Sequence, residues 1–116
     1  MTKLTKNLSR KEFACKCGCG FSTVDYELAI VCQDLADHFQ DVIYINSGCR
    51  CKNHNKAVHG TINSKHLSGI AADVRLKHTD PDKVASYLLN KYPDLYGIGK
   101  YDTFTHIDVR SKKARW

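Results

Sequence analysis

Two stretches of this chain carry residue types that zinc accepts as ligands. Ser64–Asp73 reads SKHLSGIAAD, with an imidazole at His66 and a carboxylate at Asp73. A second imidazole, His106, lies in THIDVR towards the other end. Neutral imidazole nitrogens and carboxylate oxygens bind zinc at about 2.0–2.2 Å. A His and an Asp in one segment carry little weight alone, because most histidines are structural. A third donor, on a strand whose polar face would line a cleft, raises the weight of the set. Six cysteines are the other reactive group: Cys15, Cys17 and Cys19 alternate in CKCGC, Cys49 and Cys51 in CRC, and Cys32 stands alone. Alternating spacing matches neither the paired CxxC of a zinc ribbon nor a fixed disulfide framework, so thiols, disulfides and a Cys-bound metal all stay open.

The elements that must hold these groups follow from periodicity. Ser9 and Glu12 have capping-box spacing and predict a short helical turn before a Gly-punctuated loop. From Ser22, with Asp25 behind it, Leu28, Val31, Cys32, Leu35 and Phe39 recur at helical spacing, which makes Cys32 a small core residue. Val42–Asn46 is β-branched and aromatic, as in a buried strand, and runs into the polar loop SGCRCKNHN. Ile70–Leu76 reads as a second strand. Asp80 and Pro81 open a second helix carrying Val84, Ala85, Leu88 and Leu89. Gly97–Tyr101 and Phe104–Arg110 make two more strands, and in the second Phe104, His106, Asp108 and Arg110 share one face because side chains alternate. The last two strands lie too close for a crossover helix. The expected architecture is α+β, a small, largely antiparallel sheet with flanking helices, in one domain over residues 1–116.

SKHLSGIAAD followed by THIDVR resembles the LAS-type zinc metallopeptidases, a group of zinc D-alanyl-D-alanine carboxypeptidases, D-Ala-D-Ala dipeptidases and phage L-alanyl-D-glutamate endolysins. Their mark is SxHxxGxAxD with a later His-bearing strand, and Ser64, His66, Gly69, Ala71 and Asp73 all match it. INSGCRCKNHN is similar to the family's SGYRxxxHN with Cys49 in place of Tyr, and the EFxC opening at Phe13 and Cys15 and the ending KKARW resemble a small phage-linked branch. The resemblance covers nearly the whole chain. It implies a hedgehog/DD-peptidase-like fold and one catalytic Zn2+ held by His66, Asp73 and His106, with a fourth position open. It also implies that Arg50 binds or polarises substrate and that Ser64 contacts the substrate backbone, with His54 and Asn55 organising their loop.

One departure bears on catalysis. The family usually places Glu, Asp or His three residues before the last ligand, where this chain has Thr103. Asp102 is the favoured substitute as general base, if a bulge turns it inward. Asp108 is the alternative and also a candidate partner orienting His106; its structural reading is an ion pair with Arg110 or Arg75. Cys15, Cys17, Cys19 and Cys51 are expected to tie the opening loop to the CRC segment by disulfide or through a second, structural zinc.

Composition narrows the setting. Formal charge is +6, from 18 Lys and Arg against 12 Asp and Glu, and suits any polyanion, including wall polymers. The cluster Arg110, Lys112, Lys113 and Arg115 reads as a solvated tail. No apolar run approaches the roughly 20 residues of a membrane span, and MTKLTKNLSRKEF lacks the apolar stretch of a Sec signal. The expectation is a monomer made in the cytoplasm that acts at the cell wall after holin-mediated release, on peptidoglycan stem peptides, without membrane insertion. Nucleic acid is not an expected partner, since no stacking platform or basic groove can be located. The rival reading is a zinc-scaffold module that binds wall peptides without cutting them.

Overall fold

The computed structural model describes residues 3–62 and 64–116, so Met1 and Thr2 of the N-terminal segment lie outside the described residues. The capping-box pair forms: the Ser9 N–H donates to Glu12 Oε2 at 2.7 Å ahead of a 3-10 turn, Arg10–Phe13, which drives Phe13 into the core. Helix α1 spans Tyr26–Phe39 and buries Leu28, Val31, Cys32 and Leu35. Its cap is Asp25, whose carboxylate accepts the Glu27 N–H, and not the expected Ser22. The Asp25 N–H bonds to Gly69 O at 2.9 Å, which holds the chain extended up to that point and delays the helix.

Strand β1 is Ile43–Ser47, one residue later than expected. The polar segment after it, read as loop, contains a short helix α2 at Lys52–Ala57. Six residues are too few to show periodicity, and most of this helix faces solvent. A 3-10 turn at Lys65–Ser68 leads into β2, Ala71–Leu76. Helix α3, Pro81–Lys91, has the expected Asp80 cap and early proline. Strands β3, Gly97–Lys100, and β4, Thr105–Asp108, follow.

The sheet order is β1-β2-β4-β3, antiparallel throughout, with a further strand β5, Ala114–Arg115, parallel to β3 at the edge. This is the α+β, mostly antiparallel architecture expected. Alternation divides the sheet into two faces. Ile43, Ile45, Ala72, Val74, Leu76, Ile98 and Ile107 join Leu28, Val31, Leu35, Val84 and Leu88 in one core between the sheet and the helices α1 and α3. Asp73, His106 and Asp108 point to the opposite face, away from that core. No helix among the described residues is long and apolar enough to cross a membrane.

The basic ending is not simply a solvated tail. Lys112 and Lys113 are exposed, but Arg115 lies in β5 and donates to Tyr96 O and Tyr92 O at 2.6 Å each and to Leu95 O at 2.9 Å. One guanidinium thus satisfies carbonyls between the end of α3 and the start of β3. Arg115→Ala should lower stability by about 1–3 kcal/mol, the range for charge-assisted hydrogen bonds and the acceptors they leave unpaired. The check is a lower urea midpoint at unchanged m-value.

Candidate functional site

Strand register creates the site. Asp73 of β2 stands opposite His106 of β4 in the antiparallel pair, and opposite Ser47 at the end of β1, where the register shifts. His66 comes from the 3-10 turn just before β2, whose first N–H bond is to the Ser64 hydroxyl: the His66 N–H donates to Ser64 Oγ at 3.2 Å. The turn ends at Gly69 with φ 71°, where a Cβ would stand 2.5 Å from Thr23 O. Only glycine takes this left-handed conformation with the Thr23 backbone so close, so the Gly of the motif is a geometric requirement.

His66, Asp73 and His106 converge, with donor atoms all within 4.8 Å of one another. His66 Nε2 is 3.4 Å and His106 Nδ1 3.0 Å from Asp73 Oδ1, and the two rings meet edge to face at 5.3 Å. The outward nitrogens are both occupied. His66 Nδ1 lies 2.6 Å from Gly48 O, and His106 Nε2 lies 2.8 Å from Asp108 Oδ2. Gly48 O and the Asp108 carboxylate can only accept, so each ring donates outward and turns its remaining lone pair towards Asp73. Two imidazole lone pairs and a carboxylate facing one another repel unless a cation lies among them. The donor set therefore fits zinc: two nitrogens, one oxygen, and tautomers fixed from outside.

Without a cation, the alternative is a second proton on the rings: burial works against the charge on Asp73, but His106 and His66 protonated towards it outweigh burial and hold the carboxyl well below the usual range. Burial likewise opposes a charged His106, but Asp108 and Asp73 raise its pKa. For Asp108, fully buried, the same contest is decided by His106 and Arg110, and its pKa is also depressed. Arg110 clamps it with Nε to Oδ1 and Nη2 to Oδ2, each at 2.7 Å.

The three ligand candidates line a cavity of about 690 Å³ together with Arg50, Ser64, His59, Tyr101, Phe104 and Trp116. Arg50 is built in: its Nε donates to Ser47 Oγ and Nη1 to Asn55 Oδ1, each at 3.2 Å, and Nη2 reaches within 3.5 Å of Asp73 Oδ2. Asn55, buried, also donates to Thr61 O at 2.8 Å, so it shapes the loop that walls the cavity. His54 contributes through its backbone, whose N–H bonds to Cys51 Sγ at 3.4 Å.

A family model described as Peptidase M15 matches residues 6–108. The chain belongs to the peptidase M15 family. M15 peptidases are zinc-dependent, so the family supports hydrolase and metallopeptidase character, and the match spans all three converging residues. A search of curated proteins found no match.

Within this M15 site the two carboxylates considered as base are placed apart from the reacting space. Asp102 is exposed and absent from the cavity wall, because no bulge turns it inward. Asp108 shares the His106 face, but both its oxygens are engaged by His106 and Arg110, so it holds the imidazole and is not free to take a proton. Thr103 is exposed as well. Sequence reading gave no role to His59 and assigned none to Trp116. The indole packs 4.8 Å from the His106 ring and donates to Tyr101 OH at 2.8 Å. Gly99, opposite His106, leaves the room for it: a Cβ there would be 2.4 Å from Trp116 Nε1. No spacing rule reveals such a contact, since it depends on the β5 return.

Proposed function

We propose that this M15 protein is a zinc peptidase that hydrolyses the stem peptides of bacterial peptidoglycan, of endolysin or D,D-carboxypeptidase type. The observation that carries the reading is the inward convergence of His66 Nε2, His106 Nδ1 and Asp73, with both outward ring nitrogens tied off by Gly48 O and Asp108. Zinc bound by these three residues supplies a Lewis acid that polarises a peptide carbonyl and makes water more acidic. The chain supplies the rest. Arg50 lines the cavity beside Asp73, held by Ser47 and Asn55, and its guanidinium is the group that receives a substrate carboxylate or a carbonyl oxygen gaining charge. The stacked Tyr101 and Phe104 rings, 4.5 Å apart, and Trp116 form an aromatic wall along one side of the cavity. His59 is the cavity imidazole not bound to a carboxylate among the described residues, and takes the role of proton carrier that Asp102 and Asp108 do not fill.

Asp73 is the sole carboxylate lining the cavity among the described residues, which favours a second reading: a module that binds wall peptides without cutting them. Zinc-loaded protein incubated with purified peptidoglycan separates the two. New amino termini support the peptidase and identify the bond; pelleting with the wall, at full zinc occupancy and with no new termini, supports the module. We place the protein as a monomer acting at the wall after holin-mediated release, where its charge of +6 favours anionic polymers.

Arg50→Lys tests the guanidinium. An ammonium keeps the charge but cannot hold Ser47, Asn55 and substrate at once. A roughly tenfold fall in kcat/KM is expected, with zinc content unchanged, corresponding to one lost charge-assisted hydrogen bond.

A further inference from the structure

Four of the six cysteines gather at one place, and packing does not explain the exposed two among them. Cys32 is fully buried in α1, and burial pushes its thiol up to about 12. Cys49 is buried and donates to Phe21 O at 3.1 Å. Cys17 and Cys19, in contrast, are exposed and bury no apolar surface, yet they come together with Cys15 and Cys51 from a distant segment.

The separations are informative. Cys15, Cys17 and Cys51 are mutually 3.5, 3.8 and 3.7 Å apart, sulfur to sulfur, and Cys19 lies within 4.8 Å of each. A disulfide needs about 2.05 Å and joins two sulfurs, not three. A tetrahedron with zinc–sulfur bonds of about 2.3 Å has edges of about 3.8 Å. Three observed edges match that figure, and the fourth sulfur completes the set with a small rotation of an exposed side chain.

The surroundings suit bound thiolates. The Cys51 N–H donates to Cys15 Sγ and the His54 N–H to Cys51 Sγ, each at 3.4 Å. The Cys15 N–H closes the loop onto Phe21 O at 2.7 Å, which returns Cys17 and Cys19 towards Cys15.

We propose that Cys15, Cys17, Cys19 and Cys51 bind a second zinc ion, structural because all four positions are protein sulfurs. It joins the opening loop to the segment that carries Arg50. Cys51 follows Arg50 directly and caps α2, the helix that presents Asn55 to the Arg50 guanidinium. This inference is independent of what the cavity hydrolyses.

Metal counting tests it. Protein made in zinc medium should hold two zinc per chain. The His66→Ala/His106→Ala double variant should retain one, and cobalt substituted into that variant should give the near-ultraviolet thiolate-to-metal charge-transfer band of a sulfur-rich tetrahedral site. Cys17→Ser/Cys19→Ser, at exposed positions that leave the core untouched, should lose that band while the wild-type background keeps its other zinc. The wild type gives a reading that needs no variant: Cys17 and Cys19 should resist alkylation until a chelator is added, then react within the same minutes as free thiols. A double His variant that is folded by circular dichroism and holds no metal overturns the proposal. So does an intact mass showing disulfides among these four residues, or immediate alkylation of Cys17 and Cys19 at full zinc loading.

Discussion

His66→Ala should reduce peptidoglycan hydrolysis to the level of a no-enzyme control, a loss of at least about 10³-fold, the scale at which removing a key electrostatic group acts. The imidazole is 3% exposed and has two tasks: its Nδ1 bonds Gly48 O at 2.6 Å and its Nε2 faces Asp73 at 3.4 Å. Removing it leaves two ligands of three, too few to hold zinc against dissociation or to place substrate beside it. The Gly48 carbonyl also loses its ring partner, which adds about 1–3 kcal/mol of destabilisation. Zinc content, circular dichroism and new amino termini are measured on the same sample. Metal at the His66 site should vanish along with activity while the helices and sheet persist. Wild-type rates from a folded variant would exclude His66 as a ligand and remove the His66–Asp73–His106 site as the seat of hydrolysis.

Asp108→Asn should lower zinc affinity at the His66–Asp73–His106 site by about 10- to 100-fold without touching a ligand. The carboxylate is fully buried and takes His106 Nε2 at 2.8 Å and two Arg110 nitrogens at 2.7 Å each. An amide oxygen accepts less strongly, and its NH2 faces donors. His106 then loses the partner that fixes its tautomer, and Arg110 is left beside a neutral group, at a cost of about 3 kcal/mol for breaking a buried ion pair.

The pH dependence has a definite sign. Asp108 has its folded pKa depressed, so the stability it contributes is present above its unfolded value of about 3.9 and is lost as pH falls below that. His106 has its folded pKa raised. In metal-free protein its contribution is complete below about 6.5 and is lost as pH rises through the folded value. Urea midpoints of metal-free wild type should therefore fall on both sides of a weakly acidic maximum, and both limbs should flatten in Asp108→Asn. Equal zinc affinity in a chelator competition, with unchanged limbs, would remove Asp108 from its assigned place.

The elements that could be read in the sequence are those whose information is local. Capping at Ser9 and Glu12, the apolar spacing of α1 and α3, the strand β2 and the alternation in β4 each rest on neighbours a few residues apart, and each forms. Helix α2 and the turn at Lys65–Ser68 escaped because they are short and polar, with nothing periodic to show. Strand β5 escaped because two residues of a basic ending form a strand only where an edge waits for them; the Ala114 N–H bonds Tyr96 O at 3.0 Å.

The sequence by itself determined which residues could meet a metal, since donor type and the SKHLSGIAAD and THIDVR segments are properties of the chain, and the placement of His106 and Asp108 on one strand face follows from alternation alone. Only the tertiary structure decided the rest. Opposing register brings Asp73 to His106, and a Gly48 carbonyl far along the chain sets the His66 tautomer. Arg110, not solvent, occupies Asp108, and the choice of His59 over Asp102 for the cavity wall belongs to loops that close through Asn55 and Thr61. These contacts join residues distant in sequence, and such pairings depend on which surfaces the folded sheet brings together.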